Sequence, residues 1–331
     1  MEEARKVQIT GKSTYMITLP KKWALDVGLQ PGSLVSLSYQ DEGTLLLTPS
    51  TTKTVTSHKT LKLDGEKNGL RRDIIGAYVM GHQFIELNAR TIPQEIRKEI
   101  QGICKGLIGS EIVEETKEKI VIYDILDPGE FTIDKGLKRM YALVYGMLKD
   151  LIEVFNANAR GKKEVLSEII SREEEVDRVF LLISKQFVMR LKAGCVSKED
   201  QLNLVEAFHY RLAADNLERI GDHTVKIANT FASIDSDDLL PRDITDKIAG
   251  VGRNSLDSVE KSIISLRRAD VALAGSVLRE NAKIRKSISV INQLKTDTSN
   301  ALPIGIITDS ISRIGDYAGN IAELAIDLHQ L

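Results

Sequence analysis

Five carboxylates carry the chemistry open to this sequence. Glu173 and Asp177 lie four residues apart, and Asp215, Glu218 and Asp222 follow one another at i, i+3 and i+7. On α-helices each set shares one face. Like charges at that spacing destabilise a helix by about 0.2–0.5 kcal/mol per pair. Packing all five together would cost far more unless a cation lay among them. All-oxygen ligands suit hard ions such as Mg²⁺, Mn²⁺ or Ca²⁺, and carboxylate-lined helical bundles also hold iron. His223 follows Asp222 directly but points about 100° away on a helix, so it is not counted as a ligand. The competing reading is a solvated polar face on which Arg172, Arg178, Arg211 and Arg219 pair with the acids and no ion is needed. There is no nucleophile beside a base, no glycine-rich phosphate loop and no histidine cluster, which argues against an enzyme. Metal-assisted hydrolysis of a phosphoester is the remote alternative.

The elements that must position these acids are helices. No proline occurs between Pro128 and Pro241, and Tyr317 is the sole aromatic beyond residue 232. Apolar residues recur at helical spacing, as in Met140, Leu143, Val144, Met147, Leu148 and Leu151. A core of Leu, Ile, Val and Ala on long helices indicates a bundle. The bundle repeats internally. Asp215–Asp222 (DNLERIGD) returns as Asp309–Asp316 (DSISRIGD) at an offset of 94. Glu173–Arg178 lies opposite Asn281–Lys286 at an offset of 108, and Asp150 and Glu153 lie opposite Asp257 and Glu260 at 107. Two units of three helices each, about 134–235 and 236–331, are the simplest reading, with a longer connection in the first half around Lys192–Glu199. Gly221 and Gly315 stand in mid-helix, at a cost of about 1 kcal/mol relative to Ala. Their presence suggests close helix approach beside the aspartates.

Two segments of different texture precede the bundle. Residues 1–50 alternate short β-like runs with turns: Lys6–Thr10, Tyr15–Leu19, Leu34–Tyr39 and Thr44–Thr48, with a short helix over Pro20–Val27 that stops at Gly28. Residues 51–133 read as an α/β module of unknown role. Strands are expected at Lys59–Leu63 and Phe84–Asn88, helices at Leu70–Met80 and Pro93–Ile108, and a hairpin from Glu111–Glu114 and Lys119–Ile125. The fold class is thus multi-domain: a small β module, a central α/β module and an all-α C-terminal region.

Composition bounds the rest. The 331 residues hold 45 Lys and Arg against 47 Asp and Glu, a net charge of −2, which excludes a protein basic over its whole surface but not a local basic patch. Hydrophobic residues at 42% and charged residues at 28% are ordinary for a globular chain and exclude a disordered or fibrous one. No run approaches 18 apolar residues, so membrane insertion is not expected. The start, MEEARKVQIT, lacks the apolar core of a secretory signal. Cys104 and Cys195 match no metal or redox spacing and read as reduced thiols, so the expected location is the cytoplasm.

The segments LERIGDHTVKIA and ISRIGDYAGNIAELA resemble the signature helices of the PhoU family of phosphate-uptake regulators. The resemblance covers about residues 134–331. It implies two three-helix bundles carrying E/D-x-x-x-D motifs that bind metal clusters. Glu173/Asp177 and Glu218/Asp222 match those motifs, and Asp215 extends the second. The cofactor implied is an oxygen-ligated metal ion: Mg, Mn, Fe or Zn. The second half departs from the pattern, with Asn281, Arg285 and Ser312 where Glu173, Asp177 and Glu218 stand. It keeps Asp309 and Asp316 and adds Asn320 and Glu323, which make a weaker second site.

The stretch from Gly11 to Trp23 (GKSTYMITLPKKW), followed by Gly28-Leu29-Gln30-Pro31-Gly32, resembles the AbrB/SpoVT module. In that family, hairpins swap between two chains, and the dimer binds DNA. Arg5, Lys6, Lys12, Lys21 and Lys22 are the expected DNA contacts, since residues 4–25 contain no acid. The family's short-helix arginines are absent here, with Ala24 and Leu25 near their place, so phosphate grip is expected more than base readout. Together the two resemblances imply a regulator of phosphate uptake that is a homodimer or larger, binds metal and DNA, and engages a phosphate transporter or signalling protein. The alternative is an adaptor that inhibits such a partner by protein–protein contact alone.

Overall fold

The computed structural model describes residues 3–11, 13–39, 43–49, 57–63, 69–126, 131–156, 162–193, 202–234, 240–294 and 301–331. The chain divides into two compact units, Met1–Ser57 and His58–Leu331. Cys195 and Lys12 lie outside the described residues.

The first unit holds two antiparallel hairpins and one short helix. Strands β1 (Gln8–Thr10) and β2 (Thr14–Met16) pair with Ile9 opposite Tyr15. Strands β3 (Val35–Tyr39) and β4 (Leu45–Pro49) pair with Leu37 opposite Leu47. Between the hairpins lies α1 (Lys21–Asp26), which Pro20 starts by its fixed φ of −59° and Gly28 ends at a φ of 72°, a conformation that costs glycine nothing. Among the described residues of this unit, Pro49 is the one buried residue.

The second unit begins with an α/β layer. Strands β5 (His58–Lys62), β6 (Phe84–Asn88), β7 (Ser110–Glu115) and β8 (Lys119–Asp124) form one sheet in the order β5-β6-β8-β7. β5 runs parallel to β6 and the other pairs are antiparallel. Helices α2 (Leu70–Val79) and α3 (Gln94–Lys105) cover it, burying Ile74, Tyr78, Ile100 and Ile103 against Ile85, Leu87 and Ile122. The helix expected through Ile108 stops at Lys105 because Gly106 closes it and Gly109 then turns at a φ of 84°.

Six long helices follow: α4 (Ile133–Asn156), α5 (Lys162–Ala193), α6 (Leu204–Ala232), α7 (Arg242–Arg268), α8 (Val271–Leu294) and α9 (Ala301–Leu328). Pro303 sits in the first turn of α9, where a missing N–H is tolerated. Helices α4, α5 and α6 contact one another, as do α7, α8 and α9, and α6–α9 and α4–α7 contacts join the two sets around one continuous core. Much of the extra length of the first half lies in α5 itself, with 32 residues against 24 in α8.

The α6–α9 seam follows the internal repeat. His223 and Tyr317 hold the same position in the two copies, and their rings meet at 5.7 Å. Asn320 donates to Asn216 at 3.0 Å across the same seam. No helix among the described residues is long and apolar enough to cross a membrane.

Candidate metal centre

Two helices present the acids. α6 is anchored by a capping box in which Asn203 accepts from the Glu206 N–H at 2.9 Å and Glu206 accepts from the Asn203 N–H at 2.6 Å. That fixes where the helix starts, and so which way each later side chain points. Leu217, Ile220 and Gly221 turn into the core, which carries Glu218 and Asp222 to one edge of the buried stripe. On α5, Val176 and Val179 are buried and Asp177 stands beside them facing α6.

Carboxylate oxygens of Asp177, Glu218 and Asp222 lie within 4.8 Å of one another, and this is the one such group of acids, histidines or cysteines among the described residues. The crowding appears in their proton affinities. Glu218 is pushed up to about 7, first by desolvation and then by the charges of Asp222, Asp177 and Asp215. Desolvation also raises Asp177, with Asp222 adding to the effect, and raises Asp222. Three carboxylate oxygens converging this closely can hold a cation or share a proton; without one or the other they repel.

The remaining expected ligands fall elsewhere. Glu173 lies near enough for Asp222 and Asp177 to raise its proton affinity, after desolvation, but it is outside the close group. Asp215 is occupied by arginines, Arg219 at 3.2 Å and Arg211 at 3.8 Å. Arg172 pairs with Asp150 at 2.5 Å and Glu168 at 3.6 Å, and Arg178 pairs with Glu175 at 2.9 Å. Among the described residues no ion pair reaches Asp177, Glu218 or Asp222. His223 turns toward Tyr317 and stays out of the cluster.

In the second half, Asp316 accepts two hydrogen bonds from Arg285, at 2.6 and 3.2 Å. Asn320 is engaged with Asn216, and Asp309 and Glu323 are exposed. Asn281, opposite Glu173 in the repeat, is buried and donates to the Gly315 carbonyl at 2.6 Å. The glycine pair also differs from expectation. A methyl on Gly221 would sit 3.5 Å from Val176, an ordinary contact, so close approach does not require that glycine. The tight place is Gly319, where a methyl would fall 2.7 Å from the Asn281 amide nitrogen.

In the N-terminal unit Lys6, Lys21 and Lys22 are exposed, the last two in the first turn of α1, while Arg5 is paired with Glu3. One residue near the acids was not visible in the sequence. Arg71 of α2 exerts its positive charge on Asp177, yet more than a hundred residues of chain separate them and no local spacing links them.

Comparison with known proteins supports both halves of this description. Residues 137–231 match the model of the PhoU domain, and residues 8–54 match the model of the antidote-toxin recognition protein MazE, a bacterial antitoxin. A phosphate-specific transport system accessory protein PhoU homolog of Xylella fastidiosa (strain Temecula1) is 25% identical over 193 residues, covering 56% of this chain and 77% of that protein. A protein of the same description from Rhizobium meliloti is 28% identical over 97 residues, covering 29% of this chain and 37% of its own length. The crystal structure of PhoU from Pseudomonas aeruginosa superposes with a TM-score of 0.52 at 20% identity, covering 60% of this chain and 95% of that one. The acidic group at Asp177, Glu218 and Asp222 falls inside residues 137–231, the stretch that is similar to the PhoU domain, and this stretch follows an N-terminal segment similar to the MazE antitoxin.

Proposed function

We propose that this protein regulates phosphate uptake without catalysis, and that Asp177, Glu218 and Asp222 bind a metal ion as part of that role. The observation that carries the reading is the convergence of these three unpaired acids within a stretch similar to the PhoU domain, whose relatives are named as phosphate-transport accessory proteins. The six helices work as two tandem three-helix bundles, with the ion on the first. Oxygen donors suit Mg, Mn or Fe, and Zn also accepts carboxylate ligands. Glu218 held near 7 is what such a site looks like before an ion displaces its proton.

The N-terminal unit is proposed to join two copies. Val7, Ile9, Tyr15, Leu25, Leu34, Leu37 and Tyr39 are all more than half exposed, far too much apolar surface for a unit with almost nothing buried. A second copy interleaving its hairpins would cover it. The dimer would present Lys6, Lys21 and Lys22 twice over to a DNA backbone. A shift assay on the protein's own upstream DNA across a salt series tests this: affinity that falls steeply with salt supports DNA binding. The Arg5–Glu3 pair, which withdraws one cation, favours the rival adaptor reading, and no shift at low salt would establish that reading instead.

A further inference from the structure

We propose that the groove between α7 and α8 docks an acidic amphipathic helix of a partner protein. The groove lies in the second half of the helical region and shares no residue with the acidic cluster or the N-terminal lysines, so docking there stands apart from the metal and DNA readings.

The groove has a volume of about 480 Å³. Its apolar floor is Val251 of α7 and Ile291 of α8, 5% and 2% exposed, with Val290 beside them at 53%. Its walls recur at one-turn steps, Lys247, Val251 and Asn254 on α7 and Ser287 and Ile291 on α8. Such steps are about 5–6 Å apart along a helix, which is also the spacing of the i and i+4 side chains of a third helix laid between two others. Gly250 widens the α7 wall. A methyl there would have the Arg253 guanidinium, at 3.9 Å, as its nearest neighbour, so packing does not require the glycine.

The internal repeat gives the groove a counterpart in the first half. Lys247, Asn254, Ser287 and Val290 stand where that half has Met140, Met147, Val179 and Leu182, at the offsets of 107 and 108. Those four are fully buried, and the α/β layer packs on that half, α2 against α5 and Ile108 against the helical core. The second half instead leaves a valine exposed and surrounds it with polar groups whose charge is of one sign. No carboxylate lines the groove. Lys247 has only an exposed contact with Asp243 at 3.9 Å, one turn back on its own helix, and Asp246 is paired with Arg242. Among the described residues no ion pair reaches Arg253. An unpaired guanidinium at the rim of an apolar floor complements a carboxylate carried beside an apolar anchor.

The test uses the full-length protein in chelator and two labelled helix-forming peptides. Both carry leucine at one-turn intervals; one has glutamate on its remaining faces and the other lysine. Fluorescence anisotropy reads binding. Wild type should bind the glutamate peptide about 10-fold more tightly than the lysine peptide. Arg253→Glu should weaken glutamate-peptide binding about 5- to 10-fold at low salt. Gly250→Leu, which fills the groove, should weaken it with no change of charge. Arg268→Glu makes the same charge change at the far end of α7 and should leave it unchanged. Equal binding of the two peptides by wild type overturns the proposal. Equal loss in Arg253→Glu and Arg268→Glu overturns it as well, because the peptide then responds to net charge alone, and so does binding that survives both groove variants. Sedimentation of the protein alone tests the other occupant: if Arg253→Glu and Gly250→Leu both lower the oligomeric state, the groove belongs to a second copy and the partner helix is excluded. With chelator present throughout, none of these outcomes bears on the metal reading.

Discussion

Arg285 holds Asp316 with two hydrogen bonds, at 2.6 and 3.2 Å, in the place where the first half of the molecule brings Asp177 and Asp222 together. The two pairs correspond through the internal repeat. One copy satisfies its aspartate with a guanidinium; the other sets acid against acid. An ion pair at a surface contributes little to stability, but here both bonds fall on Asp316 Oδ1 and set a positive charge beside the carboxylate, which disfavours a cation there. The repeat thus leaves three carboxylates close together in one half and an acid paired with an arginine in the other.

This asymmetry gives the first prediction. Asp177→Asn and Asp222→Asn should each lower the metal that copurifies, read by elemental analysis. Asp316→Asn should leave it unchanged. Equal loss from all three would mean that the second half contributes ligands.

The second prediction concerns pH. Glu218 has its folded pKa raised to about 7, above the ordinary value of 4.5. The folded state therefore holds a proton that the unfolded state has released between those values, and stability falls as pH rises through that window. Metal-free protein should melt lower at pH 8 than at pH 5, and Glu218→Gln should remove part of that drop. Added Mn²⁺ should reverse it, because the ion replaces the proton. Identical pH profiles for wild type and Glu218→Gln would contradict the clustering.

A third contrasts two glycines. Gly319→Ala presses a methyl against an amide that is already committed to the Gly315 carbonyl, and overpacking of this kind costs about 1–3 kcal/mol. Gly221→Ala has room and removes a mid-helix glycine, so it should be neutral or stabilising by up to about 1 kcal/mol. Denaturant titration of the two variants separates these outcomes.

The fourth addresses the join between α5 and the sheet. Lys185 is 1% exposed and its ammonium meets Asp124 and the Tyr78 ring. Burial lowers the proton affinity of Lys185, while the Asp124 charge offsets part of that. Lys185→Met should cost about 3–5 kcal/mol because it strands a buried carboxylate. Lys185→Met combined with Asp124→Leu should recover most of that loss. A double variant as unstable as the single one would show that packing, not charge, decides the site.

Much of the fold is legible in residue order because its causes are local. Pro20 and Gly28 bracket α1, the alternation of Phe84–Asn88 marks β6, and apolar spacing marks the long helices. Pairs four apart on a helix share a face wherever the helix goes, so Glu218 and Asp222 were bound to point together. The repeat was readable too, and with it the correspondence of His223 with Tyr317.

Tertiary structure alone decided which acids meet. Asp215 has the spacing of a ligand, yet Arg211 and Arg219 stand one turn to either side and take it. Glu173 shares a face with Asp177 but stays outside the close group. Arg285 reaches Asp316 from a neighbouring helix. Periodicity records which face of a helix is buried; it carries no record of which helix lies opposite or of the register between them. Charges interact through space, so their partners are set by that register and not by their spacing along the chain.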